Sequence, residues 1–173
     1  MFGRAANKQQ TNVKYLEALE EALMKFVPTT SGETRDYYNQ LIGTRMQRAR
    51  ATPTESAPWR KALETVYERN NISNSDFLWR EFATDAEQIS QRVPPEDPLQ
   101  PLLKYYRALG TLRRGMGISD SERTAAEALL RAALKADPSN EDAWLELIRS
   151  QELAASKLMA DQQVQDGRKD RKS

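Results

Sequence analysis

The 173-residue sequence contains neither cysteine nor histidine, and these two absences exclude most familiar catalytic and metal sites. The chain has no disulfide, no thiolate or imidazole metal ligand, no Ser-His-Asp triad and no Cys-His dyad. It also lacks the phosphate-binding patterns G-x-x-x-x-G-K-[ST] and G-x-G-x-x-G. Paired carboxylates such as Glu20/Glu21 and Glu141/Asp142 fall in first helical turns or on solvent faces, where they have a structural role. The sequence therefore predicts no catalytic, cofactor-binding or metal-binding residue.

A surplus of charge and a long apolar run are missing as well. Lys and Arg number 26 and Asp and Glu number 25, so the net charge of +1 does not draw the whole chain to nucleic acid or to an anionic membrane. No stretch approaches the ~20 apolar residues of a membrane helix. The start, MFGRAANKQQ, has no apolar segment typical of a secretory signal. We expect a chain without membrane insertion, in the cytoplasm or inside a particle assembled there.

What the sequence does contain is helical periodicity. Apolar residues recur with a period of 3.6 from Val13 onwards, and no segment alternates with the period of a strand. Ser119 and Glu122 form an S-x-x-E capping box at the start of one segment. We count seven helices joined by short connections. The predicted fold is all-α, with the helices stacked as antiparallel hairpins.

Prolines and polar segments divide the chain. Four of the eight prolines lie in VPPEDPLQP, which no helix crosses. We place a stiff elbow or subdomain border there. The predicted organisation is a disordered tail (1–10), N-terminal hairpins (11–92), the proline-rich linker (93–101), C-terminal helices (102–158) and a disordered polar tail (159–173).

The C-terminal helices resemble the tetratricopeptide-repeat (TPR) family over about residues 102–150. Six residues carry the resemblance: Ala126, Leu130, Ala133, Pro138, Trp144 and Leu147. The first four have the spacing of that family's second helix, and the last two lie where the next repeat's first helix has its Trp and Leu. The sequence departs from the pattern at Ile148 and Gln151, and about four extra residues follow Gly110. The resemblance covers one degenerate repeat and half of another, and an ordinary helical bundle is the alternative.

This resemblance implies partner-binding residues. In TPR-like proteins the first helix of each pair lines the groove that holds a partner peptide. By that resemblance Tyr105 or Tyr106, together with Arg107 and Arg114, become contacts for a protein partner. Because the two tyrosines are adjacent on one helix, we expect one to pack and the other to be partly exposed.

A second candidate site is a local basic stretch. It contains Arg45, Arg48, Arg50, Arg60 and Lys61, with Glu55 as the one acid among them. Such a stripe is able to contact RNA or DNA even when the whole chain is neutral. The alternative is a solvated helix face, which we favour because residues 64–97 are acidic and repel phosphates at short range.

Trp144 carries the sharpest structural expectation. It lies on one stripe with Leu147 and Ile148, opposite the small residues Ala126 and Ala133. The sequence predicts that Trp144 is largely buried and links the last helix to the 102–136 hairpin. An exposed tryptophan waiting for a partner is the alternative.

The functional expectation is a non-enzymatic interaction or assembly protein, an adaptor or scaffold that presents a helical surface to a protein partner. One alternative is a structural component of a phage particle, either a helical adaptor or an internal virion protein. In that case we expect the chain to be part of an oligomer or a larger assembly. The other is a nucleic-acid-binding protein that uses the Arg45–Lys61 stretch.

Overall fold

The computed structural model describes residues 13–73, 75–114 and 117–170, with side chains up to residue 163. These ranges form seven α-helices and no strand, as the periodicity predicts. The helices are α1 (Val13–Met24), α2 (Ser31–Ala51), α3 (Ser56–Ser73), α4 (Asp76–Ser90), α5 (Gln100–Leu112), α6 (Asp120–Ala136) and α7 (Glu141–Asp170). The predicted tail 1–10 and the last three residues lie outside the described ranges. Residues 159–170 are helical, where the sequence predicts a disordered tail.

Two helices begin at reciprocal capping boxes. Before α6, the Ser119 hydroxyl accepts from the Glu122 N–H at 3.2 Å, and the Glu122 carboxylate accepts from the Ser119 N–H at 2.9 Å. Thr30 and Glu33 repeat the arrangement before α2. Both boxes satisfy backbone donors that a helix start leaves open. The box at Ser119 is the one that the sequence predicts.

Helices pack mainly on their sequence neighbours, and α5 lies at the centre. It packs extensively on both α4 and α6. One continuous apolar core runs through most of the chain, with Trp59, Trp79, Phe82, Leu103, Leu109 and Leu130 among its buried side chains. Burial of large side chains of this kind is the main stabilising contribution in a helical fold of this size.

The proline-rich elbow belongs to this core. Val93 and Leu99 are buried in it, and the Gln100 side-chain amide donates to the carbonyls of Ser90 and Val93 at 3.0 and 2.9 Å. The Asp97 carboxylate accepts from Ser56 at the start of α3. The prolines end α4 as expected, but the elbow closes the core where the sequence suggests a subdomain border.

Two helices, α4 and α5, approach each other closely at Gly110. A Cβ atom placed on Gly110 would lie 2.6 Å from the Trp79 carbonyl oxygen and 2.8 Å from the Cβ of Ala83. Only glycine fits this contact, because the obstacles are backbone and a short side chain that cannot turn away. Gly110 therefore lets α4 and α5 pack almost backbone to backbone.

The turns after α2 and α6 have the same construction. Trp59 lies six residues after Pro53 and donates its indole N–H to the Pro53 carbonyl at 3.1 Å. Trp144 lies six residues after Pro138 and makes the same bond at 3.0 Å. Each preceding helix ends in a residue whose N–H bonds to the carbonyl four residues before it. The hairpins α2–α3 and α6–α7 are thus local repeats of one design.

Candidate interaction surfaces

A groove lined by arginines lies between α4, α5 and α6. It has a volume of about 250 Å³ and is lined by three arginines: Arg80 from α4, Arg107 from α5 and Arg114 from just beyond α5. Its apolar part is formed by Leu129 and by small residues, among them Ala83, Ala126 and Gly110. We call this the arginine groove. It brings together Arg107 and Arg114, the two arginines that the sequence proposes as partner contacts.

Two of the three arginines are paired with groove carboxylates. Arg107 Nη2 lies 2.9 Å from Glu87 Oε1, and Arg114 Nη2 lies 2.6 Å from Glu122 Oε1. Within the described ranges, Arg80 is exposed and its guanidinium makes no ion pair or hydrogen bond. The groove therefore carries three positive and two negative side chains.

Glu122 is the acid most strongly held in its charged form. Its carboxylate accepts from the Ser119 backbone and from Arg114, and these bonds lower its pKa to about 2. The same carboxylate thus completes the cap of α6 and neutralises one arginine of the groove. The start of α6 and the charge of the groove depend on one residue.

Tyr105 and Tyr106 are both buried, so the expectation that one is partly exposed is wrong. The Tyr106 ring lies 4.8 Å from Phe82, and the Tyr105 ring lies 5.4 Å from Tyr106. Burial raises the pKa of both phenols above their usual value. Neighbouring helix positions differ by about 100° in direction, and α5 is packed on several sides, so both directions lead into the core. The tyrosines belong to the core, and only Arg107 and Arg114 of the predicted partner contacts lie at a surface.

Arg45 and Arg48, from the predicted basic stretch, bind carboxylates of α1. Arg45 Nε lies 2.9 Å from Glu20 Oε1, while Arg48 lies 2.8 Å from Glu17 and 3.2 Å from Glu20. Arg45 also donates to Thr65 in α3. Both arginines are mostly buried by these contacts. They join α1, α2 and α3, whereas the sequence analysis favours a solvated helix face at these positions.

The rest of the basic stretch is at the surface but dispersed. Arg50, Arg60 and Lys61 are exposed. Arg60 lines a separate hollow beside Pro98 and Pro101, and the charge of Arg50 acts on Asp85 in α4. The structure does not gather the five basic residues on one face. Nucleic-acid binding by this stretch stays a prediction.

Trp144 is 47% exposed, so the prediction that it is largely buried is wrong. In α7 the residues that pack against the body are Ala143, Glu146, Leu147 and Ser150. Trp144 follows Ala143 by about 100° around the helix, which turns its ring away from α6 and over the Pro138 carbonyl. The alternative, an exposed tryptophan, is the one that the structure favours.

Positions of α3 and α7 correspond when they are counted from Trp59 in one helix and from Trp144 in the other. These corresponding positions differ sharply in burial. In α3 a second face packs into the core through Trp59, Leu63, Val66 and Asn70. The residues at the same positions of α7 are exposed: Trp144, Ile148, Gln151 and Ala155. The same hairpin design thus has a covered face in one case and an open one in the other. We call the open face the α7 outer face.

Sequence reasoning missed Arg80 and most of the α7 outer face. A signal exists for the groove, because Arg80 and Glu87 are seven residues apart, as are Arg107 and Arg114, and positions two turns apart share a helix face. For the outer face the signal is the second apolar stripe of α7. One stripe is enough to pack a hairpin, and a second indicates another neighbour.

No protein-family model matches the sequence, and neither a curated protein nor a solved structure shows significant similarity to it. In the described ranges no helix combines the length and apolar character needed to cross a membrane. The described acidic side chains also form no group of three suited to holding a metal ion.

Proposed function

We propose that this chain is a non-enzymatic interaction or assembly protein that docks an acidic segment of a protein partner in the arginine groove. The observation that supports the proposal is the convergence of Arg80, Arg107 and Arg114 on one cleft. A guanidinium binds carboxylates through two parallel N–H···O bonds, which fixes the position of the ligand as well as its charge. Such a cleft is suited to binding rather than to acid–base or nucleophilic chemistry.

The groove is already arranged to receive negative charge. Arg80 has no acidic partner among the described residues, so a carboxylate reaching it would displace only water. The Arg107–Glu87 pair is more accessible, since the Glu87 side chain is 51% exposed. Exposed ion pairs contribute little to stability, so exchange of Glu87 for a partner carboxylate costs little. The small residues between the arginines leave room for an apolar side chain of the same segment.

We also propose that residues 102–150 form a degenerate TPR-like unit. Two features support this: α5, α6 and α7 pack in sequence order, and Ala126 and Ala133 are buried. The arginine groove lies along α5 and α6, beside the helix that the resemblance assigns to partner binding. A helical pair of this kind supplies a rigid wall for a docked segment.

Binding of a labelled acidic peptide tests the proposal. We expect a fluorescent peptide of glutamates and leucines to bind the full chain, and a glutamine version to bind at least ten times more weakly. Arg80→Glu should weaken binding of the acidic peptide about tenfold or more, since it replaces attraction by repulsion. Arg92→Glu is the matched control, because Arg92 is an exposed arginine just after the same helix and outside the groove. Fluorescence anisotropy at two salt concentrations measures both effects.

Two results would contradict the groove. One is equal loss of binding in Arg80→Glu and Arg92→Glu, which would indicate attraction by overall charge alone. The other is tight binding of DNA or RNA in the same assay that Arg50→Glu and Arg60→Glu abolish while Arg80→Glu leaves it unchanged. That outcome would favour the nucleic-acid alternative.

A further inference from the structure

The two carboxylates of the arginine groove are held in different ways. Glu122 uses both of its oxygens: Oε1 lies 2.6 Å from Arg114 Nη2, and Oε2 accepts from the Ser119 N–H at 2.9 Å. Glu87 uses one oxygen, and Arg107, whose Nη2 lies 2.9 Å from Oε1, is its one side-chain partner among the described residues. One carboxylate is therefore fixed from two sides, while the other is free to turn away from its arginine.

The positions of the two acids within their helices differ in the same sense. Glu122 lies in the first turn of α6, where an acid interacts favourably with the helix dipole and completes the capping box. Glu87 lies in the last turn of α4, where an acid opposes the dipole. The carboxylate of Glu87 therefore serves the contact with Arg107 and not the helix that carries it.

The Arg107–Glu87 pair is also one that opens readily. The side chain of Glu87 is 51% exposed and that of Arg107 is 29% exposed. An exposed ion pair of this kind is only about two to five times more often closed than open. The Arg114–Glu122 pair is nearly as exposed, so the bond to Ser119, and not burial, is what fixes Glu122. That bond is also the largest cause of the lowered pKa of Glu122.

We propose that Glu87 is an internal competitor that occupies Arg107 in the free protein and is displaced by a carboxylate of the docked segment, while Glu122 stays on Arg114. The inference rests on the proposed function, because it requires an acidic segment in this groove. The guanidinium groups that receive the segment are then those of Arg107 and of Arg80, which has no acidic partner among the described residues. The segment reaches Arg107 only when the pair is open, so Glu87 lowers the apparent affinity of the groove.

Replacement of Glu87 by glutamine tests the competition. Glu87→Gln keeps the size of the side chain and removes its charge. We expect this variant to bind the labelled peptide of glutamates and leucines about three to six times more tightly than the wild type, because Arg107 is no longer occupied. Fluorescence anisotropy measures the affinity, and circular dichroism checks that the variant remains folded.

Glu81→Gln is the matched control. Glu81 is an exposed glutamate of the same helix and lies outside the groove, so this variant removes the same charge without freeing Arg107. At about 0.15 M salt, where exposed charges are screened, its affinity should stay within about twofold of the wild type. An equal gain in Glu81→Gln and Glu87→Gln would overturn the inference, because it would indicate an effect of overall charge.

A double-variant cycle places the competition at Arg107. In an Arg107→Gln background Glu87 has no guanidinium to occupy, so the further change Glu87→Gln should alter the affinity no more than Glu81→Gln does. A gain that persists in this background contradicts competition for Arg107.

Failure of the competition is distinguishable from failure of the groove. If the wild type binds the peptide and Arg80→Glu weakens the binding, but Glu87→Gln does not strengthen it, the groove stands and the competition is wrong. If neither the wild type nor Glu87→Gln binds the peptide, both are wrong.

Discussion

Gly110 lies at a close contact between α4 and α5, and substitution there tests the packing directly. Gly110→Ala would force its Cβ to within 2.6 Å of the Trp79 carbonyl, so the helices must separate. We expect a loss of about 1–3 kcal/mol in the free energy of unfolding. Gly43→Ala is the control, because no atom lies within 4 Å of its added Cβ. It should stabilise the chain by up to about 1 kcal/mol through helix propensity.

Urea unfolding of both alanine variants measures these opposite shifts. If Gly110→Ala unfolded at the same urea concentration as the wild type, the close α4–α5 approach would be contradicted. A loss in Gly43→Ala would instead indicate an unrecognised contact in α2.

Glu122 gives stability a defined pH dependence. Its pKa is lowered from 4.5 to about 2 by the Ser119 backbone and by Arg114, so the folded state favours the charged carboxylate. That contribution is complete above about pH 4.5 and is lost as the pH falls towards 2. Glu122→Gln keeps a side chain suited to the capping box but removes the charge. We expect the stability difference between wild type and variant to be largest near pH 6 and to shrink below pH 4.

Urea titrations of the pair between pH 6 and pH 3 measure that difference, and the other acids cancel because both proteins contain them. A difference that stayed constant with pH would show that the Glu122 charge does not stabilise the fold.

At the residue scale, a signal contained within a few consecutive residues could be read from the sequence. Whether a side chain faces the core or the solvent could not. The Ser119–Glu122 box is complete within four residues, so the sequence predicts it correctly. Tyr105, Tyr106 and Trp144 were assigned inside or outside from their own helix alone. Their burial depends on how many neighbours the helix has: α5 is packed on several sides, whereas α7 is packed on one. That number is set by distant segments.

At the scale of elements, α1 is attached to the body by a buried carboxylate as well as by its apolar contacts. Glu20 is 8% exposed and accepts from both Arg45 and Arg48. Glu20→Ala would leave two largely buried guanidinium groups short of a partner. Breaking a buried pair costs about 3–5 kcal/mol, and the partial exposure of the arginines reduces our expectation to about 2 kcal/mol. Glu21→Ala, which removes an exposed pair with Lys25, should change stability by less than about 0.5 kcal/mol.

Hydrogen exchange locates the effect. In Glu20→Ala we expect the amides of α1 to exchange much faster while those of α4–α6 keep their protection. Unchanged protection in α1 would show that its apolar contacts, such as buried Leu16, suffice to hold it.

The elements themselves were largely predictable, because seven amphipathic stripes and their proline or glycine stops are local properties. The departures come from packing. The elbow is apolar at Val93 and Leu99, and these two residues draw it into the core despite its prolines. The last helix continues through a polar segment that offers no apolar stripe, which periodicity alone does not detect.

At the scale of the whole molecule, the all-α class followed from the sequence and the arginine groove did not. Arg80 and Arg107 are separated by the elbow, and nothing in the local sequence indicates that α4 and α5 meet at Gly110. The basic stretch gives the reverse case: residues close in sequence are divided between ion pairs to α1 and separate surfaces. Charge clusters along a chain predict a site only where the fold keeps them together.

The neighbour-by-neighbour packing of the helices has a consequence for synthesis. Each helix of the described chain makes its largest contacts with the helix just before or just after it. Contacts of short sequence separation form with a small loss of chain entropy, and helical proteins of this type fold on the order of microseconds to milliseconds. A ribosome adds only about 5–20 residues each second. Each hairpin therefore has time to dock on its predecessor before the next one leaves the exit tunnel.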